Sequence, residues 1–350
     1  MDKSNTILVI GAGHQGLTMA AHLSLNGETV NLWNRTEKHI SALSEDGVVH
    51  CHGIFEGDGH LNLVSSDIEM VISDTIMITT PSTAHKEIAK KLAPYVTEDM
   101  VIVLNPGRTF GAIEFAEVLK QNGVTVLPHI AETQTIVYTC RKIDPVSVKL
   151  YALKNNVEIA SIRNDDIDFI LGKIPLSIRS HLKAVDSVCI TSFSNVGMIL
   201  HCAPVLMNIG WIESDKVVFK YYYDGISPTI AQYLEEMDYE RCNIAKAMGY
   251  VVPTVKEWLK ITYDSDGDTL FDALRNNNSY KEIDAPPTIN TRYVFEDVPN
   301  GLVPIEAIAN QLEIRIPAIT TIIDLACYIM NTDYRQIGRT YSISTLSNYS

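Results

Sequence analysis

No two cysteines in the chain are spaced Cys-x-x-Cys; the six present (Cys51, Cys140, Cys189, Cys202, Cys242 and Cys327) stand singly. That spacing suggests neither a zinc knuckle nor a disulfide framework, and reduced structural thiols are expected. A basic tract is also missing: 28 Lys and Arg against 42 Asp and Glu give a net charge of -14. Such a balance works against nucleic acid or an anionic membrane as partner, and a small anionic ligand would need locally placed cations. Long apolar runs are lacking too. The longest late one, 316–330, carries Asp324 and falls short of the roughly 20 residues that span a bilayer. The first residues lack the basic segment and apolar run of a secretory signal, so a cytoplasmic protein is expected.

What the chain has is apolar bulk. At 350 residues, 46% hydrophobic and 20% charged, it has the composition of a globular protein and the length of about two domains. Residues 6–10 form a short apolar run, followed by Gly11-Ala12-Gly13-His14-Gln15-Gly16 and by helical apolar spacing over 17–25. That order reads as strand, glycine turn and helix. Gly27 closes the helix and 29–33 supplies the next strand, completing a βαβ unit. A second helix is expected over 36–43, a hairpin-like insertion over 47–64, strands over 75–79, 100–104 and 124–127, and helices over 82–92 and 113–121. This alternation predicts an α/β fold with an N-terminal Rossmann-type, doubly wound parallel sheet. The runs 135–140, 148–152 and 157–161 have no helix between them and are expected to extend that sheet in a more antiparallel way. From about residue 186 helical patterns take over, at 195–209, 227–248, 253–261, 302–313 and 317–330. The expected domains are 1–184 and a mainly α-helical C-terminal 185–350.

A dinucleotide pyrophosphate needs a tight turn, close backbone approach and a helix N-terminus, and Gly11, Gly13 and Gly16 supply these in order. His14 and Gln15 open the helix, either touching the cofactor or capping the turn. The second strand ends Trp33-Asn34-Arg35-Thr36, with no acid for the ribose hydroxyls of NAD. Arg35 can grip a 2′-phosphate through its planar fork, so NADP is expected over NAD. Alternatively Asn34 or Thr36 caps the next helix and Arg35 is solvated. Thr80, Pro81 and Ser82 follow a later strand, where carboxyl ends of such sheets line the crevice; Ser82 could equally be an N-cap.

Further motifs follow in order: Thr80-Pro81-Ser82-Thr83-Ala84-His85, Asn105-Pro106-Gly107-Arg108-Thr109-Phe110-Gly111, Ala131-Glu132-Thr133-Gln134-Thr135, and Ser194-Asn195-Val196-Gly197 leading to His201 and Pro204. Then come Gly225-Ile226-Ser227-Pro228, Asp238-Tyr239-Glu240-Arg241, and Arg292-Tyr293 before Glu296-Asp297-Val298-Pro299. In this order they resemble the octopine/nopaline dehydrogenase family across nearly the whole chain. The resemblance implies NAD(P)H-dependent reductive joining of a 2-oxo acid to the amino group of an amino acid. It assigns His201 and Asp297 as the proton-handling pair and Arg292 as the holder of the oxo-acid carboxylate. By the same resemblance Glu132 and Thr133 are substrate-contacting, with Arg108 a further candidate. Cys202, after the histidine, is the one departure, and could be mildly reactive.

Chemistry suits these residue types. A histidine titrates in the useful range when a carboxylate fixes its tautomer, and a carboxylate ligand favours the two-pronged guanidinium of arginine. Without the resemblance, His201 would read as a core histidine, Asp297 as a turn residue and Arg292 as a surface charge. His50, Cys51, His52 and His60 complete no recognisable ligand pattern, and no metal is expected. Tyr221-Tyr222-Tyr223 and Trp211 read as core or subunit interface, and a homodimer is reasonable. Two other functions fit the same sheet: an NADP-dependent 2-oxo or 3-hydroxy acid reductase acting on a carbonyl, and a non-catalytic dinucleotide-binding regulator.

Overall fold

The computed structural model describes residues 6–43, 45–214 and 218–349. The chain forms two compact units. One contains the described residues up to Gly107 together with Gly111–Val188; the other contains Arg108–Phe110 and Cys189–Tyr349.

The first unit holds twelve strands among its described residues: β1 (Thr6–Ile10), β2 (Thr29–Trp33), β3 (Val48–Gly53), β4 (Gly57–His60), β5 (Leu63–Ser65), β6 (Thr75–Ile78), β7 (Val101–Leu104), β8 (His129–Thr133), β9 (Tyr138–Asp144), β10 (Ser147–Leu153), β11 (Val157–Ser161) and β12 (Leu182–Ala184). Eight form one sheet in the order β12-β11-β8-β7-β6-β1-β2-β5. All neighbours are parallel except β11, which runs antiparallel to β8. β1, β2, β6 and β7 are mainly apolar and, like β8, almost wholly buried, as strands covered on both faces must be. Register matters for function. Ile10 lies opposite Trp33 and Ile78, so the segments after β1, β2 and β6 leave the sheet side by side at its carboxyl edge.

The hairpin expected over 47–64 is present as β3 and β4, but it belongs to a separate four-stranded sheet, β4-β3-β10-β9. Of the three late runs, only the third, now β11, extends the main sheet. The second sheet packs over the helix His14–Leu25, which explains why residues 16–23 of that helix are buried all round rather than on one stripe. Two local readings also differ. Residues 37–43 form two short 3-10 turns, 124–127 is not a strand, and the strand begins instead at His129.

The second unit is helical. Its main helices are Gly197–Met207, Pro228–Ala247, Val255–Tyr263, Leu270–Asn276, Val303–Gln311 and Pro317–Met330. Local signals place their starts: Ser227 caps with Pro228 behind it, and Thr254 and Thr269 each form a capping box. The Asp238–Arg241 motif is architectural. Arg241, fully buried, donates to Asp238 Oδ1 at 2.6 Å and to the carbonyls of Phe193 and Pro253. Asp238 accepts from Val255 N at 2.6 Å, and Glu240 accepts from Ala318 N and Ile319 N, both at 2.8 Å. One helix turn thus satisfies the N-termini of two others. The stretch Val188–Met207 is long and apolar enough to cross a bilayer, but 89% of it is buried inside the protein.

Candidate active site

The turn after β1 is shaped by what a side chain would strike. Gly11 has φ +108, and a Cβ there would meet the Thr80 methyl at 2.9 Å; a Cβ on Gly16 would land on the Gly11 carbonyl oxygen. Helix and strand therefore pack backbone to backbone. A Cβ on Gly13 would meet nothing within 4 Å, and no side chain caps that helix end, so the backbone there is open to an approaching phosphate. The residues present fit a dinucleotide.

Asn34 accepts from Ala12 N at 3.1 Å and donates to Thr36 O at 3.0 Å, bracing the glycine turn from behind. His14 and Gln15 are engaged by β9: His14 Nδ1 accepts from Lys142 N at 2.9 Å, and the Cys140 thiol reaches Gln15 Oε1 at 3.4 Å. The same strand brings the Lys142 ammonium to 3.3 Å from Ala12 O, a cation beside the turn that the sequence reading missed because it arrives from the second sheet. Burial holds the Lys142 amine below its ordinary range. Arg35 and Thr36 line a groove of about 240 Å³ with Trp33, His39, Thr80, Pro81 and Lys91. The Thr80 hydroxyl is buried there without a hydrogen-bond partner. Ser82 is buried and starts the 3-10 turn Ser82–Ala84.

Glu132 and Thr133 turn out to be interior. The Glu132 carboxylate accepts from Ala112 N at 2.7 Å, capping the helix Gly111–Gln121, and Thr133 donates to Leu104 O at 3.3 Å.

In the second unit, residues 96 apart in sequence meet. His201 Nδ1 is 2.7 Å from Asp297 Oδ2, with both residues buried. Asp297 is followed by a π-helical turn, Val298–Leu302, a distortion often found at functional positions. Arg108 approaches from the other side, its Nη1 3.4 Å from Asp297 Oδ1 and its Nε 3.5 Å from Glu296 Oε1. Arg108 and Phe110 have φ +63 and +60, a left-handed backbone that costs non-glycine residues about 1–2 kcal/mol each. Phe110 N to Ser192 Oγ, Thr109 N to Asn300 O and Arg339 to Thr109 O hold that loop in place.

Electrostatics follow from this packing. Burial raises the Asp297 carboxyl, but Arg108 and then His201 outweigh it, so Asp297 stays ionised below its ordinary range. Burial dominates at His201 and lowers it despite Asp297, leaving a neutral imidazole at pH 7. For Arg108 the carboxylates, Asp297 ahead of Glu296, overcome the opposing effect of burial and raise it. Arg292, the expected carboxylate holder, is half-exposed, 3.9 Å from Glu296 Oε2, with its guanidinium 5.6 Å from the Tyr293 ring centroid. Cys202 is fully buried and its thiol is pushed well up, so it is inert rather than mildly reactive.

The tyrosine run, read as core or interface, contributes directly. The Tyr222 hydroxyl lies 3.3 Å from His201 Nε2, and Tyr221 donates to His201 O at 2.8 Å. Tyr293 stacks on the His201 ring at 3.9 Å. Elsewhere His50 pairs with Asp58 and His52 with Glu56, while Cys51 faces the core.

Comparisons with known proteins agree with this architecture. Residues 184–330 match the family model described as NAD/NADP octopine/nopaline dehydrogenase, alpha-helical domain, and residues 7–140 match ketopantoate reductase PanE/ApbA. An opine dehydrogenase of Arthrobacter sp. (strain 1C) is 36% identical over 343 residues, covering 97% of this chain and 95% of its own. In fold, the chain is similar to octopine dehydrogenase solved with NADH and L-arginine (TM-score 0.73, 18% identity, 93% of this chain and 89% of that one). It is also similar to yersinopine dehydrogenase solved with NADP+ (TM-score 0.74, 11% identity, 100% and 98%). The chain belongs to the opine dehydrogenase family, NAD(P)-dependent oxidoreductases acting on CH–NH bonds.

Proposed function

We propose that His201 and Asp297 are the proton-handling pair with which this enzyme joins the amino group of an amino acid to a 2-oxo acid, and that Arg292 holds the oxo-acid carboxylate. The observation carrying this reading is the 2.7 Å contact between His201 Nδ1 and an ionised, buried Asp297. Condensation needs a base first and an acid second. Neutral His201 takes a proton from the substrate ammonium so that the amine can attack the oxo carbon, and Asp297 stabilises the imidazolium. The imidazolium then returns that proton to the carbinolamine hydroxyl, which leaves as water, so the iminium forms with no net proton change. The bound cofactor supplies the hydride that reduces the iminium carbon. Arg108 acts through Asp297, keeping it charged. Half-exposed Arg292 retains the reach to pair bidentately with a carboxylate.

The glycine turn and helix His14–Leu25 would hold the pyrophosphate, with Lys142 as a nearby cation. Arg35, in a groove that also carries His39 and Lys91, suits a 2′-phosphate and makes NADPH the preferred cofactor.

The test is a matrix of NADPH or NADH with 2-oxo acids and amino acids, followed by cofactor absorbance. Oxidation is expected to require both an oxo acid and an amine and to vanish in His201→Ala. Arg35→Gln is expected to weaken NADPH about tenfold while sparing NADH. Oxidation with the oxo acid alone would move the protein to the simple reductases.

A further inference from the structure

The nitrogen of His201 that exchanges protons is already covered. With Nδ1 donating to Asp297 Oδ2 at 2.7 Å, Nε2 carries the lone pair of the neutral ring. The Tyr222 hydroxyl stands 3.3 Å from it, oriented as donor by that tautomer. Tyr293 covers a ring face at 3.9 Å. A proton entering or leaving His201 therefore passes at the edge that Tyr222 occupies.

Tyr222 is also held firmly. Tyr221 N donates to Ile283 O at 2.8 Å, Ala285 N donates to Phe219 O at 2.9 Å, and Lys220 meets Asp284 at 2.7 Å. The Tyr222 ring itself stacks on Tyr280, 4.1 Å between centroids. Swinging the phenol aside would break this packing, whereas passing a proton through its oxygen requires no movement.

We propose that Tyr222 is a proton relay, carrying protons between His201 Nε2 and the reacting groups of the two substrates. The proposal rests on the acid-base reading of His201. In the first step the substrate ammonium gives a proton to the Tyr222 oxygen as the Tyr222 proton moves to Nε2. The products are a neutral amine, an intact phenol and an imidazolium on Asp297. In the second step the imidazolium returns its proton to the phenol oxygen while the phenol proton goes to the carbinolamine hydroxyl; the C–O bond breaks and water leaves. Neither step accumulates a tyrosinate, which agrees with burial pushing the Tyr222 phenol well above its ordinary range. The groups facing His201 are Asp297 and Arg292 of one segment, Arg108 of the loop, and the phenols of Tyr222 and Tyr293.

The experiment compares wild type, His201→Ala, Tyr222→Phe and Tyr233→Phe, the last removing a phenol hydroxyl that donates to the Ala318 carbonyl. Turnover of NADPH with pyruvate and an amino acid selected by the substrate matrix is measured across pH. In parallel, 15N titration of ring-labelled histidine follows His201, assigned by the signal lost in His201→Ala. Tyr222→Phe is expected to lower kcat about 10²-fold with KM values changed by no more than about twofold. The His201 midpoint should rise, because a donor to the lone-pair nitrogen has gone. Tyr233→Phe should keep its rate. Site-specific 3-fluorotyrosine at 222 restores a hydroxyl without new shape demands and should recover about half the rate or more. Wild-type kcat and an unchanged midpoint in Tyr222→Phe overturn the relay, as does a loss that fluorotyrosine fails to restore. Full turnover in His201→Ala overturns the acid-base reading itself, and the relay with it.

Discussion

The phosphate-facing turn of the first unit is built of backbone, whereas the proton-handling site of the second is built of side chains whose charges are buried together. At Gly11, Gly13 and Gly16 the function is absence: a Cβ at two of the positions would strike neighbouring atoms, and at the third the space stays open. At His201, Asp297 and Arg108 the function is presence, with the Asp297 carboxylate and the Arg108 guanidinium each tolerable in the interior because of the other, beside a neutral His201. The first kind of site is encoded by short spacing. The second is encoded by residues far apart in the chain and is sensitive to the loss of any one charge.

The comparison is tested most strongly by Asp297→Asn. Removing the carboxylate's charge leaves Arg108 with Glu296 alone and lets the His201 ring take either tautomer, so kcat is expected to fall about 10³- to 10⁴-fold. Cofactor binding, measured separately by quenching of NADPH fluorescence, should be close to wild type, because the first unit's turn is untouched. A variant that lost both together would deny the division of labour.

Gly16→Ala probes the opposite pole. Its methyl would overlap the Gly11 carbonyl, and neither the strand nor the helix can retreat without breaking the Gly11 N to Trp33 O bond of 2.8 Å. Destabilisation of about 1–3 kcal/mol is expected, together with weaker NADPH binding. Urea unfolding checks the first and fluorescence the second. Wild-type affinity in Gly16→Ala would mean the turn is not the pyrophosphate site.

The same contrast governs what was legible in the sequence. β1, the glycine turn, the first helix and β2 could be read directly, because each needs only apolar runs and glycines within one short segment. The second sheet could not. β9 and β10 alternate much like further strands of the main sheet, and only tertiary pairing with β3 sends them over the first helix, taking Lys142 to the glycine turn. The 36–43 segment had helical spacing, yet 3-10 turns form there, since tertiary context overrides propensity in so short a piece. His201, Arg292 and Asp297 were named through resemblance, since nothing in their local spacing distinguishes a proton pair from a core histidine and a turn aspartate. Tyr222 was visible only as one of three tyrosines. Its distance to Nε2 depends on a turn pinned by residues 219–224 and 283–285, a relation carried by no short motif.

The smallest effect compares the units through their buried histidines. In the first unit, burial lowers His22 to about 4, with Nδ1 3.0 Å from the Tyr138 hydroxyl; in the second, burial lowers His201. Each folded pKa lies below the unfolded value of about 6.5, so the unfolded chain binds the proton first. The stability each neutral ring contributes is complete above that value and is lost as pH falls below it, for His22 down to about 4. Asp297, lowered, adds stability that is complete above its unfolded value near 4 and lost progressively as pH falls from there through its folded one. The thermal midpoint should therefore be flat above about pH 7 and fall by about 4 °C or more between pH 6.5 and 4.5. His22→Gln and His201→Asn should each flatten that slope, whatever they do to the midpoint at pH 7. Identical slopes in wild type and both variants would mean that the acid sensitivity lies in other groups, and that neither buried imidazole is held neutral by its surroundings.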